Sequence, residues 1–215
     1  MESVDRDIGL VKIAYKGRLY LLSFSDGFEI RATKQVIGRL GLVEGARFTP
    51  ETYAELRRIL QQEWAVYSAE SLLSRRPFSI GLFVRRMTQT GIAEPLIRDI
   101  VKDFKARGLL NDYQYAVDRA RSFLIRKPVG RGYLLSWLQN QLVPRDIAEK
   151  AVSEILADVD EVAMAVKLLE KKRLALAKFD LETARQKAYT YLSRRAISYG
   201  AAKEAFDRLF GKSDT

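Results

Sequence analysis

Neither cysteine nor histidine occurs anywhere in the 215 residues. Disulfides, thiolate nucleophiles, imidazole acid–base catalysis and every zinc site built on Cys or His are thereby excluded. A metal would need an all-oxygen site of the magnesium or calcium kind. No apolar run approaches the ~18–20 residues that a membrane-spanning helix requires. Residues 1–7 (Met-Glu-Ser-Val-Asp-Arg-Asp) lack the basic-then-apolar pattern of a secretion leader. The chain also has no Walker A loop, nucleophile elbow or dinucleotide fingerprint. A soluble, cytoplasmic, non-enzymatic protein without cofactor or metal is expected.

What is present is apolar enough to fold and charged enough to bind. Apolar residues make up 47% and charged residues 30%, and the net charge is +10 with a pI near 9.8. The excess is spread evenly: residues 1–62 carry +2, 63–111 carry +3, 112–157 carry +2 and 158–215 carry +3. Such a surface favours polyanionic partners without choosing among DNA, RNA and a nucleoprotein assembly.

The first 48 residues read as a small β-rich segment. Ile8–Tyr15 and Leu19–Phe24 are apolar runs joined by Lys16-Gly17-Arg18, a hairpin signal. Asp26-Gly27 offers a second turn into Phe28–Ile30, a short helix is expected over 33–39, and Arg47-Phe48 suits one more strand. At Thr49-Pro50-Glu51 the period changes: a hydroxyl N-cap, a proline at the first helical position and an acid in the first turn open a helix. Residues 49–62 form its connecting start, and the pattern stays helical from there to Phe210.

That helical region repeats. A shift of 51 lays Arg75, Arg76 and Pro77 on Arg126, Lys127 and Pro128, Met87 on Leu138 and Ile92 on Val143. A further shift of 54 lays Leu138 on Leu192, Val143 on Ile197 and Ala151 on Ala205, the extra residues falling near Leu174–Phe179. Three units of three helices are expected, over 63–111, 112–157 and 158–215. Stacked, such helix-turn-helix-like repeats make an elongated, curved rod behind the β segment, a mainly α fold.

Gly108-Leu-Leu-Asn-Asp-Tyr-Gln-Tyr-Ala116 resembles the signature between the first two repeats of the RecX regulatory proteins. Arg76-Pro-Phe-Ser79 with Phe83, Arg86-Met87 and Gly91 is similar to that family's first repeat. Gly130, Leu134, Leu138 and Val143 match its second, and Leu192-Ser-Arg-Arg-Ala-Ile-Ser198 its third, so the resemblance covers roughly 63–210. The chain departs from the pattern at Leu82, where an acid is usual, at Tyr133, where a base is common, and at Leu142 and Ala196, which stand at glycine positions. The resemblance implies a monomer that binds the RecA–single-stranded-DNA filament in its groove. It would inhibit ATPase and strand exchange and limit filament extension in the DNA-damage response. Single-stranded DNA is a candidate direct partner.

The candidate contacts are cationic. Pairs recur at the end of each unit's first helix: Arg75-Arg76, Arg126-Lys127 and Lys171-Lys172-Arg173. They suit phosphate or an acidic filament surface, and equally the negative end of a helix macrodipole. Arg85, Arg86, Arg131, Arg194 and Arg195 join them, while Arg98, Arg121 and Arg145 could simply face water or pair with Asp99, Asp103 and Asp146. The acidic group Asp158, Asp160 and Glu161 reads as a helix start rather than a metal site, and Asn111-Asp112 as a cap and linker. Two other readings stay open: direct DNA binding through helix-turn-helix-like units, or a scaffold for another protein. Against the first of these, the third helices carry Asp99, Asp103, Asp146, Glu149 and Glu154, which phosphate repels.

Overall fold

The structure, a computed structural model, describes residues 7–211. All but the last of the seven residues read for a leader lie outside them. The described chain forms two compact units. One comprises the residues up to Pro77 together with Phe83–Leu109, and the other comprises Phe78–Leu82 together with the residues from Leu110 onward.

The first unit begins with an antiparallel sheet. Strands β1 (Ile8–Lys16), β2 (Leu19–Phe24), β3 (Glu29–Ala32) and β4 (Arg47–Phe48) lie in the order β3-β2-β1-β4. Gly17, at φ +72°, takes the first central position of the β1–β2 hairpin, where a side chain would be strained. The third strand runs to Ala32 instead of ending at Ile30, because its ladder with β2 continues to the Tyr20–Ala32 pair. Helix α1 (Lys34–Arg39) is capped by Thr33, whose hydroxyl accepts the Val36 N–H.

Helix α2 (Pro50–Leu73) starts as its sequence dictates, with Thr49 accepting the Thr52 N–H and Pro50 in the first turn. It runs unbroken through residue 63, where the first repeat was expected to begin. Tyr53, Leu56 and Leu60 bury against Leu10, Leu22, Phe24 and Ile30 of the sheet. Each such side chain contributes about 1.5–3 kcal/mol by leaving water. The unit also holds most of α3 (Ile80–Thr88) and α4 (Glu94–Ala106), where Phe83 and Phe104 are fully buried with ring centroids 6.0 Å apart.

One polar link ties the hairpin to α2. The Tyr53 hydroxyl donates to Asp26 Oδ2 at 2.8 Å, and the Phe28 N–H donates to Oδ1 at 3.0 Å. Partial burial pulls the Asp26 carboxyl upward, but these two bonds and the Arg57 charge outweigh it and hold it below its ordinary value. A depressed folded pKa stabilises above the unfolded pKa and is lost as pH falls through the folded one. Asp26 therefore supports this unit above about pH 4, the unperturbed aspartate value, and the support fades below it. Tyr53→Phe should cost about 1 kcal/mol at pH 7. Urea unfolding should show native and variant converging as pH falls below 4; a pH-independent gap would refute the link.

The second unit contains two helical groups, each around its own core. Helices α5 (Asp112–Arg126), α6 (Arg131–Asn140) and α7 (Arg145–Leu156) enclose Tyr115, Ala120, Leu134, Leu138, Ala148 and Val152. Helices α8 (Glu161–Glu170), α10 (Leu181–Ser193) and α11 (Tyr199–Phe210) enclose Leu169, Ala188, Leu192, Ala202 and Phe206. The longer connection of the last group holds the short α9 (Arg173–Leu176).

The helix starts follow local chemistry. Asn111 accepts the N–H groups of Tyr113 and Gln114, Asp160 accepts from Ala163, Asp180 from Thr183 and Ser198 from Ala201. Gly108, at φ +71°, closes α4. Arg98 and Arg145 pair with Glu94 and Glu149, not with Asp99, Asp103 or Asp146. The reason is spacing, since residues four apart share a helix face and adjacent residues do not.

The sequence register reappears as geometry. In α6 and α10 the last turn closes with one bond pattern: Val143 N–H to Leu138 C=O, and Ile197 N–H to Leu192 C=O, both 3.2 Å. This is a Schellman motif, with the buried apolar pair that accompanies it. Its left-handed residue is Leu142 in one and Ala196 in the other, both at φ 56°, and Gly91 holds the equivalent place after α3 at φ 76°. The glycine positions are thus occupied by residues that carry about 1–2 kcal/mol of backbone strain each.

What holds the strained turns is packing from the preceding group. Ser79, fully buried before α3, donates its hydroxyl to Gln141 C=O at 2.5 Å, while Gly81 lies against Leu142. One repeat later, Gly130 N–H donates to Arg195 C=O at 2.8 Å, and Gly132 lies against Ala196. Shifts of 51 and 54 carry the first junction onto the second, residue for residue.

Candidate nucleic-acid interface

The twelve cations singled out from sequence fall into distinct settings. Arg75, Arg76, Arg85 and Arg86 are exposed in the first unit, and Arg86 donates to Gln89 Oε1 at 3.1 Å. The helix-end pairs do follow the first helix of each group, since α2 ends at Leu73, α5 at Arg126 and α8 at Glu170. Arg126 turns back to the Ser122 carbonyl at 3.2 Å, a bond that satisfies its own helix end. Arg131 donates to Ser153 Oγ at 3.0 Å. Lys171 and Arg173 are exposed beside the α8–α9 turn.

Other members are held by aromatic rings. Lys127 Nζ sits 4.5 Å from the Tyr133 centroid and donates to its hydroxyl at 2.7 Å. That ring is stacked on Phe123, which in turn lies 4.6 Å from Trp137. Tyr191 is flanked by two cations, Arg195 Cζ at 4.0 Å from its centroid and Lys172 Nζ at 5.7 Å. A cation held on a ring face loses little further freedom when an anion arrives, so these charges are ordered in advance. Among the described residues, seven ion pairs, at Arg39, Arg58, Arg98, Arg107, Arg145, Arg185 and Arg208, engage other arginines.

The densest arrangement is on α10. Asp180 opens this helix, and its carboxyl is held below the ordinary range by the Thr183 hydroxyl and N–H. Ala184, Ala188 and Leu192 bury one stripe at four-residue spacing. Gln186, Thr190 and Arg194 then align in a second row, and Lys187 and Tyr191 in a third. These five residues line an open concavity of about 530 Å³. Arg195, just past the helix end, and Lys172, from the α8–α9 turn, close on Tyr191 from outside the helix.

The sequence reading found Arg194, Arg195 and Lys172 but missed Gln186, Lys187, Thr190 and Tyr191. Their signal was the four-residue spacing of a polar face opposite an alanine stripe. The aromatics at helical spacing elsewhere divide: Phe83, Phe104 and Tyr115 are buried, whereas Trp64, Tyr113 and Trp137 are half-buried.

No family model matches this chain. A regulatory protein RecX of Pelodictyon phaeoclathratiforme is 26% identical over 145 residues, covering 67% of this chain and 88% of its own. A regulatory protein RecX of Streptococcus sanguinis is 26% identical over 202 residues, covering 93% and 76%. A crystal structure of a regulatory protein RecX has the same fold, with a TM-score of 0.65 at 17% identity over 93% of this chain and 99% of that one.

Proposed function

We infer the function of this chain from one premise: it belongs to the RecX family of regulatory proteins. On that premise it regulates the RecA recombinase. It docks in the groove of the RecA filament on single-stranded DNA, lowers the filament's ATPase and strand exchange, and limits filament extension. It acts by binding, without chemistry of its own, as a monomer in the cytoplasm. The three helical groups, bounded near 63–111, 112–157 and 158–215, are its contact units.

The observation that carries this reading is the set of cations ordered in advance on aromatic rings, Lys127 on Tyr133 and Lys172 with Arg195 on Tyr191. A nucleoprotein filament is a repeating polyanion, and contacts that are each weak add through effective concentration once the first is made. The test is the single-stranded-DNA-dependent ATPase of the cognate RecA, titrated with this protein, with and without excess DNA. Inhibition well below one chain per RecA that survives the extra DNA is the expected result. The double variant Arg85→Glu with Lys127→Glu should raise the half-inhibitory concentration about tenfold, or about 1.4 kcal/mol spread over two contacts. Inhibition that the extra DNA abolishes would sink filament docking.

A further inference from the structure

We propose that the polar face of α10 is a single-stranded nucleic-acid site in its own right, with Tyr191 and Arg195 as the base-stacking element and Lys187, Arg194 and Lys172 as phosphate contacts. The inference stands on the chemistry of this face and not on RecA. Four features point the same way. The face is concave, about 530 Å³, and every residue lining it is polar or aromatic. Its charges are all positive: Lys187 and Arg194 line it, and Lys172 and Arg195 flank its ring. The nearest acid on the helix, Glu182, stands one turn before Gln186 in the same row and is engaged by Arg185 at 3.4 Å. The Arg195 guanidinium carbon sits over the Tyr191 ring, 4.0 Å from its centroid, and Arg195 Nη1 donates to Tyr191 C=O at 3.3 Å.

This combination selects the ligand class. An acidic protein surface would satisfy the cations but gives the ring and guanidinium plane nothing to stack on. A duplex satisfies phosphate contacts but hides its base faces inside the stack. A single strand offers phosphates and exposed π-faces together, and stacking on Tyr or on a guanidinium plane tolerates any base. The Thr190 hydroxyl is already donated to Gln186 C=O at 2.9 Å, so it adds no base-reading donor.

The experiment is fluorescence anisotropy of labelled oligo-dT with the full chain, without RecA, across a salt series. Three probes are compared: oligo-dT, an abasic oligonucleotide of equal length, and a duplex. The native protein should bind oligo-dT at least fivefold more tightly than the abasic strand and more tightly than the duplex. Tyr191→Ala should remove the preference for dT over abasic, while Tyr191→Phe keeps it. Lys187→Ala with Arg194→Ala should flatten the log–log salt slope by about 1.4, at ~0.7 per phosphate contact on a single strand. Equal binding of dT and abasic strands, or tighter duplex binding, overturns the site using the native chain alone. RecA inhibition with no oligonucleotide binding leaves the RecX reading standing and removes this one; the converse result does the reverse.

Discussion

Gly130→Ala is expected to destabilise the second unit by about 3 kcal/mol or more and to lower its thermal midpoint by on the order of 10 °C. A β-carbon there would lie 1.9 Å from Ala196 O and 2.6 Å from Ala196 C. Both are backbone atoms in a turn that already carries left-handed strain, so neither can yield cheaply. The Gly130 N–H to Arg195 C=O bond would be pushed apart at the same time. The comparison residue sits two positions on. A β-carbon at Gly132 would meet only Ala196 Cβ, at an ordinary 3.5 Å, and the position is helical. Gly132→Ala should therefore stabilise slightly, by about 0.5–1 kcal/mol from reduced chain entropy and better helix propensity. Calorimetry of both variants reads the contrast. Two variants that behave alike would show that close approach at Gly130 is not what joins the last two helical groups.

Asp112→Ala is expected to cost about 2–3 kcal/mol, with Asp112→Asn costing less than about half of that. Asp112 is 6% exposed, and its Oδ1 accepts the Ile80 N–H at 2.8 Å across 32 residues of chain. Ile80 opens α3, whose Leu82 N–H is taken by Ser79 Oγ at 3.1 Å. Removing the carboxylate leaves a donor at the positive end of a short helix without that partner, and also removes a charge that favours the dipole. Asparagine preserves the acceptor oxygen toward Ile80. Urea unfolding at pH 7, with hydrogen exchange at the Ile80 amide, separates the two contributions. An unchanged exchange rate in the alanine variant would mean the cap is held by something other than Asp112.

The features readable from the chain were those decided within a few residues. The Thr49-Pro50-Glu51 start, the caps at Asn111, Asp160 and Ser198 and the hairpin at Gly17 depend on short-range hydrogen bonds and steric limits, so residue type at each position suffices. The repeat register was legible for a related reason. Met87, Leu138 and Leu192 are each fully buried because the same turn recurs, and recurrence leaves a mark in sequence without any knowledge of contacts. Even the departures at Leu142 and Ala196 marked the two left-handed turns.

The candidate site was half visible. A count of cations located Arg194, Arg195 and Lys172, because charge can be read one residue at a time. It could not show that two of them lie on Tyr191, since that depends on where the α8–α9 turn passes relative to α10. Asp112 illustrates the same boundary more sharply. Beside Asn111 it reads as part of a local cap; folded, it serves a helix 32 residues away.

Sequence by itself determined the class of this protein: mainly helical, repeating, basic, without thiol or imidazole chemistry, and similar to RecX. Helix periodicity, capping and composition are local quantities, and each is fully specified by neighbouring residues. Only the tertiary structure decided how the groups join and what surface they make. Gly130 and Arg195 are 65 positions apart, and nothing in either residue type names the other. Their contact exists because the last two helical groups bring a backbone N–H to the carbonyl just before the left-handed Ala196, and only the folded chain places both ends of that bond.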